Sequence, residues 1–132
     1  MNNTVEYLLD TDHAIELVNN NEALQERIEE LGIEKFAISE ITLAEMSVRF
    51  EKTKIAKYGK QIAFLEEYFT ILPFDAHRQY GSLRAVLEKK GQRLDDMDVL
   101  IAATALQKDI VLLSGNIRHF ERIKNLKLEN FK

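Results

Sequence analysis

Short apolar segments alternate with stretches of helical spacing from one end of this chain to the other, and that alternation leaves few folds open. Apolar runs bounded by polar residues predict strands at residues 6–9, 36–39, 70–74, 110–113 and 126–129. Helical spacing predicts helices at 22–31, 41–51, 55–68, about 77–90 and about 96–108, with Gly32 and Gly91 as stops and Asp75 as a cap. Asp10 ends the first strand and could cap a further helix that begins near Asp12 or His13. Strands separated by helices pair in parallel, because each crossover returns the chain to the same edge. The expected class is α/β, with a central parallel sheet of four or five strands and helices on both faces.

Size and composition fit one such domain. At 132 residues the chain buries roughly two-thirds of its unfolded surface without covalent staples. It has no cysteine, which excludes disulfide scaffolds and thiolate zinc sites. The longest apolar run, residues 99–106, is far shorter than the roughly 20 residues that cross a bilayer. The opening MNNTVEYLLD has neither a basic region nor a long apolar core, so it does not read as a secretory signal, and the expected location is the cytoplasm.

The net charge of −4 argues against a polyanion partner until its distribution is considered. Residues 1–48 carry −9, residues 49–60 carry +4, residues 61–117 carry −2 and residues 118–132 carry +3. Two basic segments therefore stand out from an acidic remainder, suited either to nucleic acid or to solvated helix faces.

Three carboxylates occupy costly positions. On a helix turning about 100° per residue, Glu45 shares a face with Ile41, Ala44 and Val48. Asp98 shares one with Ile101, Ala102 and Ala105 in the strongly apolar DDMDVLIAATAL. Each has an ordinary explanation, a solvated edge for Glu45, a first-turn acid for Asp98 and a helix cap for Asp10. Together, however, the three project from separate elements toward the carboxyl edge of one sheet, where ligands of open α/β folds gather. Hard oxygen donors without His or Cys companions favour Mg2+ or Mn2+. His13, His77 and His119 lack metal-ligand spacing, and no phosphate-binding glycine loop or serine elbow is present.

In order along the chain, YLLDTD at 7–12, ISEITLAEM at 38–46, ILPFD at 71–75, YGSLRAVLEKKG at 80–91, DDMDVLIAATAL at 95–106 and LLSGNIRHFERI at 112–123 resemble PIN-domain proteins of the VapC toxin type. The resemblance covers about residues 5–131 and implies a single PIN-like domain over 1–132. It further implies a Mg2+- or Mn2+-dependent endoribonuclease, the toxin of a toxin–antitoxin pair, acting on RNA with tRNA among the candidates. Asp10, Glu45 and Asp98 match the family's catalytic and metal-binding acids. The mechanism implied has Asp10 and Asp98 binding the ion, with Glu45 completing the shell or orienting the attacking water. A small VapB-like antitoxin and self-association into a homodimer or higher oligomer are also implied.

This chain departs from the family pattern at several positions. Asp12 replaces the usual Asn, and Asp95 stands where Gly is frequent. Ser114, Gly115 and Asn116 occupy the place of a T-x-D or T-N-N segment, and His119 replaces a common Glu. Asn116 contributes no charge, so Asp96 or Asp12 are the candidates to support a second ion. Arg49, Lys52, Arg118 and Arg122 are the candidates for RNA-backbone contacts. Two other readings share parts of the pattern. One is a PIN-like module that binds RNA or protein without cutting. The other is a haloacid-dehalogenase-like phosphatase, with Asp10 as nucleophile, Asp12 as general acid and Glu45 dispensable.

Overall fold

The computed structural model describes residues 4–131. The first three residues of the segment considered as a leader, and Lys132 of the second basic segment, lie outside them.

Five parallel strands form the sheet: β1 (Tyr7–Leu9), β2 (Phe36–Ser39), β3 (Thr70–Leu72), β4 (Val111–Leu113) and β5 (Leu128–Glu129), in the order β3-β2-β1-β4-β5. The helices are α1 (Thr11–Val18), α2 (Glu22–Leu31), α3 (Glu40–Thr53), α4 (Ala56–Tyr68), α5 (His77–Lys89), α6 (Asp96–Lys108) and the single turn α7 (Ile117–Phe120).

Period-2 side chains explain why both sheet faces are covered. Leu8, Ala37 and Leu112 face a core shared with Leu87 of α5 and Val99, Ala102 and Ala105 of α6. Their neighbours Leu9, Phe36, Ile38 and Leu113 face the opposite core, with Ala14 and Leu17 of α1, Leu24 and Ile28 of α2, Met46 of α3 and Leu65 of α4. The strands need no polar alternation because neither face meets water.

Several boundaries differ from expectation. The third strand stops at Leu72 and the fifth spans only Leu128–Glu129. The chain before and after these edge strands is apolar for packing rather than for pairing; Leu126, for example, packs against the first core from outside the ladder. α3 begins one residue early, at Glu40, because the Ser39 hydroxyl caps it by accepting the amide of Ile41. α7 was not expected: one turn carries too few residues to display a period. The glycine stops hold, and Gly32 closes α2 at φ 105°, a conformation strained for any residue with a Cβ.

The strand order reverses between β1 and β4. The chain passes from β1 outward through β2 and β3, then crosses back to β4 on the other side. Such a switch point opens a crevice at the carboxyl ends of the two strands, and the residues just beyond Leu9 and Leu113 stand there.

Candidate active site

Asp10 follows β1 directly. Its amide donates to the Leu113 carbonyl at 3.0 Å, extending the β1–β4 ladder by one step. Its carboxylate caps α1 by accepting the amide of His13 at 2.8 Å, and the Ser114 hydroxyl hydrogen-bonds it from the end of β4. Asp10 is only 4% exposed, and this burial pushes its carboxyl pKa up, against the opposing effect of those hydrogen bonds and of His13. The His13 ring lies between two carboxylates, with Nδ1 3.7 Å from Asp10 Oδ1 and 3.3 Å from Glu16 Oε1.

Glu45 comes from α3 and is itself half-buried, but the face predicted for it is not a core face. Ile41 is half-buried while Ala44 and Val48 are exposed, and the helix buries Thr42, Leu43 and Met46 instead. Glu45 Oε1 accepts the Thr11 hydroxyl at 2.6 Å, and Thr11 Oγ1 also lies 3.0 Å from Thr42 Oγ1. One residue of α1 thereby ties Glu45 to the position of Asp10. Asp98 comes from the first turn of α6, with Oδ2 3.0 Å from His119 Nε2 of α7. Burial raises the carboxyl pKa of both Glu45 and Asp98. Thr11 opposes the rise in the first and His119 in the second, while repulsion from Asp95 and Asp12 adds to both.

These acids line a single cleft of ≈ 180 Å³ formed by Asp10, Thr11, Asp12, Glu45, Asp95, Asp98, Asn116 and Phe120. The three carboxylates singled out from the sequence therefore share one cleft, together with the auxiliary candidates Asp12 and Asn116. Ser114 is fully buried behind Asp10, and its hydroxyl also accepts the Asn116 amide at 2.9 Å. Asp96 is not part of the cleft. Its carboxylate pairs with Arg84 of α5 at 2.6 Å, because the next residue on a helix points about 100° away. The acid that joins the cleft instead is Asp95, which caps α6 through the Met97 amide at 3.2 Å.

Sequence reasoning also missed Thr11 and His119. An amphipathic pattern does not reveal a hydroxyl that bridges two elements. No spacing rule brings residue 119 to residue 98; the one signal in the sequence is that His119 stands where the family commonly has Glu.

The basic candidates are dispersed. Arg49 lies over the Tyr58 ring at 3.9 Å and reaches Gln61 of α4 at 3.5 Å. Lys52 is exposed near the end of α3, and Arg118 is exposed on α7. Arg122 donates to the Arg93 carbonyl at 3.3 Å.

Among the described residues, no three His, Asp or Glu side chains converge closely enough to hold a metal ion as they stand. Glu45 is drawn to Thr11 and Asp98 to His119. The donor set nevertheless fits a hard divalent cation in kind: carboxylate oxygens only, with ionisation opposed by burial and by one another's charge. A cation is the partner that such a group lacks.

The PIN domain family model matches residues 7–126. Ribonuclease VapC2 of Rickettsia felis is 36% identical over 131 residues, spanning 95% of this chain and 97% of the relative. The tRNA(fMet)-specific endonuclease VapC of Salmonella typhimurium is 29% identical, spanning 96% and 98%. The crystal structure of VapBC2 from Rickettsia felis bound to promoter DNA superposes with a TM-score of 0.86 at 32% identity, over 94% of this chain and 97% of that one. With the fold, the match to the family model and these relatives in agreement, the chain belongs to the PIN-domain family, within its VapC group.

Proposed function

We propose that this chain is a single-domain endoribonuclease toxin, that it hydrolyses RNA phosphodiester bonds at the acid-lined cleft, and that a VapB-like antitoxin is its cognate partner. The carrying observation is that Asp10, Glu45 and Asp98, from three separate elements, line one cleft at the switch point of a VapC-group fold. Structured RNA of the tRNA class is the proposed substrate, by likeness to the Salmonella endonuclease.

Asp10 and Asp98 would hold Mg2+ or Mn2+, with Glu45 beside them. When bound, the ion supplies charge for the scissile phosphate and lowers the pKa of a water. The protein's own groups do the rest. Ser114 and the His13 amide fix Asp10 in place, so its carboxylate needs little reordering. Thr11 occupies Glu45 Oε1 and leaves Oε2 to take the proton of the attacking water. A carboxyl pKa raised by burial makes Glu45 a better base for that transfer. Asp12 and Asn116 remain as polar groups lining the same cleft.

The test is incubation of the purified chain with a tRNA pool and Mn2+, against Asp98→Asn. Cleavage by the wild type that is lost in the variant supports the proposal. Mn2+ binding without cleavage of any RNA offered, and without growth arrest on expression, favours the non-cutting module.

A further inference from the structure

Beyond the cleft, the structure gathers cations that are scattered in the sequence. Arg78 and Lys90, from the start of α5 and just past its end, face the same groove as Arg122 and Lys124, from the turn after α7. The groove has a volume of ≈ 460 Å³ and its lining includes no acidic residue, although the whole chain carries −4. Its floor is apolar, with Leu83, Leu87 and Leu106 among its residues. All four cations are exposed, and none belongs to an ion pair among the described residues.

The other basic segment looks different in three dimensions. Lys54 pairs with Glu51, Arg49 lies over Tyr58, and Lys57 lies within 5.8 Å of the same ring centroid. Its charge is partly spent on neighbours within α3 and α4. The α5–α7 groove keeps its charge for a ligand, and the chain links it to the site: Arg122 is two residues beyond Phe120, which lines the cleft.

We infer that this groove is a docking track for the RNA phosphate backbone, leading away from the cleft and carrying Arg78, Lys90, Arg122 and Lys124 as its phosphate contacts. The inference rests on the proposed RNA substrate and deepens it. No aromatic side chain lines the groove, so bases have nothing to stack on there and the contact is to phosphate rather than to sequence. It also accounts for an acidic protein holding a polyanion: cations lie along the strand on one side, and the acids are confined to the point of cleavage.

The test compares the wild type with the quadruple variant Arg78→Gln, Lys90→Gln, Arg122→Gln, Lys124→Gln. A control carries the same charge change elsewhere, at Lys35, Lys57, Lys60 and Lys127. Binding of a fluorescent tRNA pool is titrated in EDTA, which prevents cleavage, from 50 to 200 mM salt. The groove variant should lose about tenfold or more in affinity at the higher salt, and its log K against log[salt] slope should flatten by about 3. The control should stay within about threefold of wild type. Mn2+ affinity measured calorimetrically should be unchanged in both, which checks that each variant is folded.

Equal losses in groove variant and control would reduce the effect to net charge and overturn the track. Unchanged RNA affinity with a changed molar mass by light scattering would make the groove a contact between copies of the chain, also overturning it. In either case cleavage by the wild type would leave the ribonuclease reading standing, whereas a wild type that neither binds nor cuts RNA would remove both.

Discussion

His119 Nε2 lies 3.0 Å from Asp98 Oδ2, so the ring that replaces a common family Glu hydrogen-bonds a candidate metal-binding carboxylate. An ionised carboxylate only accepts, so the ring presents its Nε2–H to that oxygen and leaves Oδ1 for another partner. The ring is held in turn by edge-on contact with Phe120, at 5.3 Å between centroids. His119 is therefore a positioning residue. Its replacement by Ala should weaken Mn2+ binding about tenfold, the usual scale for losing an outer-shell hydrogen bond. Calorimetric titration of the metal-free variant measures this, and tighter binding than wild type would show that the ring competes with the ion instead.

Thr11 joins two helices through one hydroxyl, since Oγ1 meets both Glu45 Oε1 and Thr42 Oγ1. Thr11→Val keeps the shape and removes both hydrogen bonds. Stability should fall by about 1 kcal/mol. RNA cleavage should fall further than binding, because Glu45 loses the contact that sets its orientation. Urea unfolding together with a separation of kcat from KM distinguishes the two effects. A loss confined to KM would place Thr11 in substrate binding.

Much of this arrangement was legible in the chain because it follows from periods. The continuous apolar strands announced a sheet covered on both faces. The face arithmetic that made Asp98 costly holds, since Ile101, Ala102 and Ala105 are buried. Ala44 and Val48 beside Glu45 are exposed, so its place in the cleft does not follow from that face. What periods do not carry was missed. Asp96 and Asp95 are adjacent acids at the start of α6, and only the helix entry decides that Asp95 lines the cleft while Asp96 pairs with Arg84. The four groove cations come from α5 and from the turn after α7, and no local charge count joins them. The aspartyl-phosphatase reading of D-x-D made Glu45 dispensable, whereas the fold brings Glu45 into the same cleft as Asp10.

Burial raises the carboxyl pKa of Asp10, Glu45 and Asp98 above the unfolded range. Between the unfolded and folded pKa of each group, the native state binds more protons than the unfolded one. These groups therefore subtract stability as pH rises through that interval, and the full penalty is present above the folded pKa. Metal-free Asp98→Asn should accordingly gain Tm relative to wild type as pH rises from the ordinary aspartate value of 3.8 to neutrality. Adding Mn2+ at about 100 times Kd should return about 2.7 kcal/mol to the wild type and little to the variant. Parallel Tm profiles across that pH range would mean that Asp98 carries no such penalty.

Asp10 has a structural task and a chemical one, and two substitutions separate them. Its side chain caps α1 through the His13 amide and accepts from Ser114, while its charge belongs to the cleft. Asn keeps an acceptor for the cap and loses the charge; Ala loses both. Asp10→Asn should fold with at least wild-type stability at neutral pH, since the cap acceptor stays and the buried charge goes, and should lose Mn2+ binding and RNA cleavage. Asp10→Ala should lose the same functions and also cost about 1 kcal/mol or more, since a helix cap disappears and the buried Ser114 hydroxyl loses a partner. Denaturant midpoints and calorimetry on the two proteins make the comparison. Cleavage retained by Asp10→Asn would move the chemistry away from this carboxylate, and equal stability of the two variants would show that the His13 amide finds another acceptor.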